Sequence, residues 1–152
     1  MRSINTPDFD IALRGAVYDY TLRAGRPPTS TQAAQALEST IVAVQAGFRR
    51  LAAAHVLVLQ PETGEILMAN PFSAVPTPFP VQTACQSYYG NCIWDALGVA
   101  AMLNQDAVIS TACGCCGLGL EVSIQAGAAG GPPSLVHFAL PAARWWDDIV
   151  FT

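Results

Sequence analysis

The residues of this sequence best suited to chemistry are Cys92 and Asp95, which lie three positions apart. Asn91 is a good N-cap, and the residues from Cys92 to Leu103 favour a helix that places both side chains on one face of its first turn. The helix dipole and the free N–H groups there favour a thiolate. Poor solvation beside Trp94 would keep the carboxyl protonated, so the pair predicts a soft nucleophile next to a proton source. The same spacing also fits a buried structural cysteine and a solvated aspartate, because free cysteine is commonly a core residue.

The composition is that of an apolar, weakly acidic chain of 152 residues, 52% hydrophobic and 12% charged. This length is enough for one compact domain or two small subdomains. No apolar run reaches the length of a membrane span, and residues 1–10 lack the features of a signal peptide, so we expect a cytoplasmic protein. A net charge of −4 argues against binding to a nucleic-acid backbone. Five cysteines in a reducing compartment are better interpreted as thiols for metal binding or catalysis than as disulfides.

The first 69 residues predict three helices followed by a β-hairpin. Apolar residues recur at helical period over residues 8–24, and Gly25 with the prolines after it ends that helix. A second helix is expected from about residue 29 to Leu37, and a third begins at Glu38. Residues 55–59 and 65–68 predict two strands joined by a turn. This order of elements is typical of a winged-helix module.

A winged helix raises the question of DNA binding, which the charges do not favour. The third helix offers only Arg49 and Arg50 as exposed bases. The hairpin turn carries Glu62 and Glu65, which would repel phosphate. We therefore expect the module to be a structural cover.

Residues 70–152 predict a small, mostly antiparallel sheet packed with one central helix. Residues 70–80 contain four prolines and must be extended. Strands are expected within residues 81–89 and at residues 107–113, 118–124 and 135–140, with a tight turn at 114–117, a flexible loop at 127–133 and a helical turn at 142–148. The predicted fold class is α+β, with a winged-helix-like module at residues 1–69 and a second domain at residues 70–152.

Three stretches of the second domain resemble the organomercurial (alkylmercury) lyase family. They are residues 70–77 (NPFSAVPT), residues 92–98 (CIWDALG) and residues 109–113 (ISTAC). The winged-helix-like start is similar too, and in that family the module is not used for DNA. The likeness covers most of the chain from about residue 10, and the proline-rich stretch combined with the Cys-x-x-Asp helix is fairly specific.

The resemblance implies protonolysis of a carbon–mercury bond, which gives a hydrocarbon and Hg(II). It implies that Cys92 captures mercury as a thiolate and that Asp95 supplies the proton to the leaving carbon. The chemistry is reasonable, because thiolate is the softest common protein ligand and its charge on the metal weakens the bond to carbon. No added cofactor is implied, although a cellular thiol would help to remove Hg(II). The expected partner is a small organomercurial or other soft-metal substrate, with no nucleic acid and no membrane.

The resemblance also implies a second active-site cysteine, which in this register follows the segment Trp145–Thr152. The sequence ends at that point. We therefore expect a member of the family that is truncated at its C-terminus and lacks the second thiol. The same register places Cys113 at a structural, non-catalytic position of the family.

A second group of thiols, Cys113, Cys115 and Cys116, supports an alternative function. Their glycine-rich turn brings three thiols within reach of one soft ion, such as Cu(I), Zn(II) or Hg(II), with Cys92 or Cys85 as a fourth ligand. The alternative is a non-catalytic soft-metal or thiol-binding protein. If one or two of these thiols face the core, the group has no such role. Cys85 has no partner at a suggestive spacing and is expected to be structural.

The remaining candidates have structural interpretations. His137 has no ligand spacing to His55 and is expected to be a packed or surface residue. Trp145 and Trp146 are expected to anchor packing, with shielding of the site as a lesser role.

Overall fold

The computed structural model of the protein describes residues 6–151, and the expectations for residues 1–5 and for Thr152 lie outside that range. The chain begins with three helices, as predicted: α1 (Thr6–Ala24), α2 (Ser30–Ala36) and α3 (Ile41–Ala53). Thr29 and Gln32 form a capping box at the start of α2, and the Thr40 hydroxyl caps α3. Within residues 6–151, no helix is both long enough and apolar enough to cross a membrane.

A three-stranded antiparallel sheet follows the helices, in the order β1 (Val58–Leu59), β2 (Ile66–Ala69) and β3 (Phe72–Ser73). The first strand is shorter than the predicted 55–59, because His55 adopts a left-handed conformation with φ 59° that ends the preceding helix region. Glu65 does not project from the hairpin as a repelling charge. Its carboxylate accepts hydrogen bonds from the Ser30 hydroxyl and, at 2.6 Å, from the Ser30 N–H at the start of α2.

The second sheet is antiparallel throughout and has the order β5-β4-β6-β7-β8. Helix α4 joins β5 to β6 and buries Ala96, Val99 and Ala100 among residues of this sheet. The arrangement confirms the predicted α+β class, with one central helix packed on a small sheet. The elements are β4 (Pro80–Thr83), β5 (Ser87–Tyr89), α4 (Ile93–Leu103), β6 (Ala107–Ala112), β7 (Gly119–Gln125) and β8 (Ala128–Gly130).

The strand predicted at residues 135–140 is wrong, since that segment has no regular structure. The last strand is instead β8, within the predicted loop at residues 127–133. Ala126 and Gly127 have φ of 49° and 78°, and this two-residue left-handed turn brings Ala128 opposite Gln125. The two prolines that follow have no N–H to donate and end the pairing. The chain then forms a 3₁₀ helix at Ala142–Asp147, where a helical turn was predicted.

Two hydrophobic clusters lie on either side of residues 70–71. The first extends from Leu13 to Ala69 and the second from Phe72 to Ile124. Tyr18 packs against both, and its hydroxyl donates a hydrogen bond to the Asn70 carbonyl at 2.9 Å. This division supports the boundary between residues 69 and 70, which stays a prediction.

Gly90 sets the close approach between the end of β5 and the first turn of α4. A Cβ atom at Gly90 would lie 2.5 Å from the backbone N of Ala96, so the helix start would have to move. A Cβ atom at Gly98, within α4, would meet Pro71 at an ordinary 3.5 Å. We expect Gly90→Ala to lower the free energy of unfolding by about 1–3 kcal/mol. The matched Gly98→Ala should raise it by about 0.5–1 kcal/mol. Urea unfolding of both variants measures the change in the free energy of unfolding. A change in the same direction for both would contradict this account.

Candidate active site

Cys92 is the N-cap of α4, and the prediction that Asn91 has this role is wrong. The Cys92 backbone is extended, with φ −143° and ψ −177°, and its carbonyl accepts the Ala96 N–H at 2.9 Å. Its Sγ accepts the Asp95 N–H at 3.5 Å, in the place that a hydroxyl takes in most caps. The sulfur therefore lies against the free N–H groups of the first turn, next to the residue predicted to act with it.

Asn91 holds the Asp95 carboxyl instead of capping the helix. Its Nδ2 donates to Asp95 Oδ2 at 2.8 Å and also lies 3.2 Å from Asn70 Oδ1 and 3.3 Å from the Pro71 carbonyl. Its own Oδ1 is buried and has no hydrogen-bond partner among the described residues. The sequence analysis missed this role. The only local signal was an amide four positions before the carboxyl, at a spacing that allows contact on a helix.

Burial controls the acidity of both groups. It raises the pKa of the Cys92 thiol, and the nearby Asp95 charge adds to this, while the N–H groups of Asp95 and Trp94 lower it by less. The N–H groups of the helix N-terminus do favour the thiolate, as expected, but in the free protein burial outweighs them. Burial also raises the pKa of the Asp95 carboxyl against the lowering effect of the Asn91 hydrogen bond, as the sequence analysis expected. Both groups keep their protons to higher pH than they would in water.

The two side chains are partly buried at one helix start, whereas the structural interpretation required a buried cysteine and a solvated aspartate. The contact of the Cys92 sulfur with the Asp95 backbone N–H supports the chemical interpretation. The individual roles of Cys92 and Asp95 remain predictions.

An apolar cavity of about 540 Å³ adjoins this helix start at Trp94. Trp94 is 55% exposed, and its ring meets that of Phe138 edge to face, with 6.1 Å between the centroids. Phe138 meets Trp145 at 5.0 Å, and the Trp145 indole donates to the Leu140 carbonyl at 3.1 Å. The lining includes neither Cys92 nor Asp95, so the cavity flanks the pair.

The pair Trp145-Trp146 anchors the C-terminal segment, as predicted. The Trp146 ring stacks on His55 with the centroids 4.0 Å apart and the planes 8° from parallel. His55 therefore packs against an aromatic ring, and His137 is exposed at the surface.

The other four thiols lie on two hairpins. Cys85 is exposed in the turn between β4 and β5, so the expectation of a structural thiol is wrong, because a hairpin tip has no core to enter. Cys115 and Cys116 are exposed in the turn between β6 and β7, and Cys113 is partly exposed at its start. Among residues 6–151, no three or more His, Cys, Asp or Glu side chains converge to hold a metal ion. The three- or four-ligand site considered from the sequence is therefore not preformed.

The free energy of unfolding is expected to fall as the pH rises through the raised pKa of Asp95. The unfolded chain loses this proton near the ordinary value of 3.8, while the folded protein still holds it. The stabilising difference is therefore complete below that pH and is lost as the pH rises through the folded pKa. Asp95→Asn cannot ionise and should lack this slope in urea unfolding followed across the acidic range. Asp19→Asn, at an exposed position of α1, is the matched control and should keep it. Identical slopes in the wild type and Asp95→Asn would contradict the assignment.

The family match begins close to the boundary between the two hydrophobic clusters. The family model described as "MerB: Alkylmercury lyase" matches residues 72–152, which is more than half of the sequence. Among solved structures, the "Crystal structure of the mercury-bound form of MerB2" superimposes with a TM-score of 0.62 at 18% identity. That match covers 84% of this chain and 66% of the other, so this sequence spans just under two thirds of that chain's length. At this identity the likeness shows the shared fold. No curated protein sequence matches the chain.

Proposed function

Because the chain belongs to the alkylmercury lyase family, we propose that it is an enzyme that cleaves carbon–mercury bonds by protonolysis, a mercury-detoxifying reaction. The single observation that carries the proposal is the placement of Cys92 and Asp95. The sulfur accepts the Asp95 N–H at 3.5 Å, and burial raises the pKa of the Asp95 carboxyl. A soft ligand and a carboxyl of raised pKa thus share one helix turn.

In the first step, Cys92 captures the substrate R–Hg–X. A sulfur–mercury bond forms, the bond from mercury to X breaks, and the thiol proton passes to the solvent. Burial raises the pKa of the thiol, which favours release of the proton as the metal replaces it. Because Hg(II) is soft and thiolate is a soft ligand, the exchange favours sulfur over an oxygen or halide partner.

In the second step, the Asp95 carboxyl donates its proton to the carbon bound to mercury. The electron pair of the carbon–mercury bond becomes the new carbon–hydrogen bond, and the hydrocarbon leaves. The carboxylate that remains lies beside the mercury cation and offsets its charge. Asn91 binds Oδ2 of Asp95 and so assigns the transferable proton to the other carboxyl oxygen.

Hg(II) then leaves Cys92 by exchange to a small cellular thiol, and Asp95 takes up a proton from water. No added cofactor is required in this scheme. We place the activity in the cytoplasm, because all five cysteines are free, as expected in a reducing compartment. We propose no nucleic-acid partner, since Arg50 of the expected recognition helix is paired with Asp10 at 2.7 Å. We propose no membrane partner.

The proposal is tested by incubating the protein with phenylmercuric acetate and an excess of a monothiol. Benzene in the headspace, measured by gas chromatography, should accumulate with repeated turnover. Benzene at the level of the thiol-only control would overturn the proposal. The non-catalytic alternative, a soft-metal-binding protein, predicts bound mercury without benzene.

A further inference from the structure

The hairpin turn between β6 and β7 carries two thiols in a Cys-x-x-Cys spacing, Cys113 and Cys116. Two backbone hydrogen bonds of 2.8 Å close the turn, one from the Cys113 N–H to the Leu118 carbonyl and one from the Gly117 N–H to the Cys113 carbonyl. Gly117 follows with φ 73°, a left-handed conformation that glycine adopts without strain. This spacing recurs in protein sites where two thiolates hold one metal ion.

The Cys113 sulfur lies among hydrogen-bonding groups of its own turn. The backbone N–H groups of Cys115 and Cys116 hydrogen-bond to it, and the Cys116 side chain is also within hydrogen-bond reach. Successive N–H groups that converge on one atom make a small anion site. Cys116 is exposed, so an ion from solution can reach the sulfur pair.

We propose that Cys113 and Cys116 bind one Hg(II) ion as a two-thiolate site. Two sulfur–mercury bonds form, two S–H protons pass to the solvent, and two anions leave the metal, with no change of oxidation state. Hg(II) is satisfied by two thiolates, whereas a tetrahedral zinc ion needs four ligands. No group of three or more ligand side chains converges among residues 6–151, so a four-ligand zinc site is not preformed there.

The sheet places this turn at the same edge as the active-site helix. Pro80 of β4 pairs with Tyr89 of β5, and Val81 pairs with Ile109 of β6. Because both strands are antiparallel to β4, β5 and β6 run toward the same end of the sheet. The chain continues from that end toward Cys92 after Tyr89, and toward Cys113 after Ile109. If the proposed lyase activity holds, Hg(II) carried from Cys92 by a small thiol meets the sulfur pair at that edge. Binding at the pair does not itself depend on that activity.

The test uses the full chain with Cys92→Ser, so that the capture thiol is absent. Mercuric chloride is added in the presence of a competing monothiol, and bound mercury is measured after gel filtration together with the ultraviolet absorbance of mercury–thiolate bonds. We expect a single ion per chain. Adding Cys116→Ser should weaken binding by on the order of 10²–10⁴-fold, because the second sulfur then comes from solution. Cys85→Ser, at an exposed position of the other hairpin, is the matched control and should leave binding unchanged. Cys115→Ser, which changes the neighbouring thiol of the same turn, should weaken binding less than Cys116→Ser does.

Two results would overturn the site. One is a Cys92→Ser chain that retains no mercury under these conditions. The other is a loss on Cys116→Ser no larger than that on Cys115→Ser. Circular dichroism of each variant checks that the hairpin has folded. Benzene release by the unmodified protein is a separate measurement, so failure of the lyase reaction and failure of the second site are distinguishable.

Discussion

Cys92→Ser is expected to reduce benzene release from phenylmercuric acetate to the thiol-only background, a loss of at least roughly 10³-fold. The serine hydroxyl is a hard, weakly acidic ligand, and it cannot replace a thiolate on a soft metal. The size difference is small, and Cys92 is only partly buried, so the fold should tolerate the change. Serine is also a good N-cap, and it can accept the Asp95 N–H that the sulfur now accepts. The loss therefore reports chemistry and not unfolding.

Cys85→Ser is the matched control for this experiment. Cys85 is an exposed free thiol in the turn between β4 and β5. Its replacement should leave the rate of benzene release within about twofold of the wild type, as for a surface change of small energetic effect. A Cys92→Ser enzyme that keeps about a tenth of the wild-type rate or more would show that another group captures the mercury.

Asp95→Asn is expected to separate capture from protonolysis. The amide has almost the same shape as the carboxyl and can still bind Asn91, but it has no acidic proton to give. Loss of a general acid typically costs about 10²–10⁴-fold, and we expect a decrease of that size in the rate of benzene release. Capture by Cys92 does not need the acid, so the phenylmercury adduct should accumulate. Intact-mass spectrometry with excess substrate measures the adduct, and gas chromatography measures the hydrocarbon.

Asp19→Asn is the matched control, because Asp19 is an exposed carboxyl of α1 far from Asp95 in the sequence. It should change neither the amount of adduct nor the rate of benzene release. Two outcomes for Asp95→Asn count against the assigned role. Benzene release at the wild-type rate would remove Asp95 from the proton path. Failure to form the adduct would show that Asp95 acts in binding and not in proton transfer.

The contact between Cys92 and Asp95 could be predicted from the sequence because it depends on one helix turn. The helix from Ile93 to Leu103 follows from local preferences, and the three-residue spacing puts the Asp95 N–H within reach of the Cys92 sulfur. The direction of the thiol pKa could not be predicted this way. Burial of Cys92 depends on tertiary packing, and its effect exceeds that of the helix N-terminus.

Long-range contacts explain the other errors. Asn91 looked like a cap because its residue type favours that position, but its partners Asn70 and Pro71 lie about twenty residues away in the sequence. The apolar run at residues 135–140 looked like a strand, yet the prolines before it end the sheet at β8, so it has no neighbour to pair with. Strand formation depends on that neighbour as much as on residue type.

The hydrogen bonds of Asn70 connect the first helix to Asp95, the proposed proton donor. The Asn70 carbonyl receives the Tyr18 hydroxyl from the first helix, and its side chain contacts the amide that holds Asp95. The orientation of the Asp95 carboxyl therefore depends on how the N-terminal helices pack against the sheet. If Asp95 gives the proton as proposed, loss of the Tyr18 hydroxyl in α1 is expected to alter the rate of proton transfer without touching the substrate, and the helical cover then takes part in the reaction.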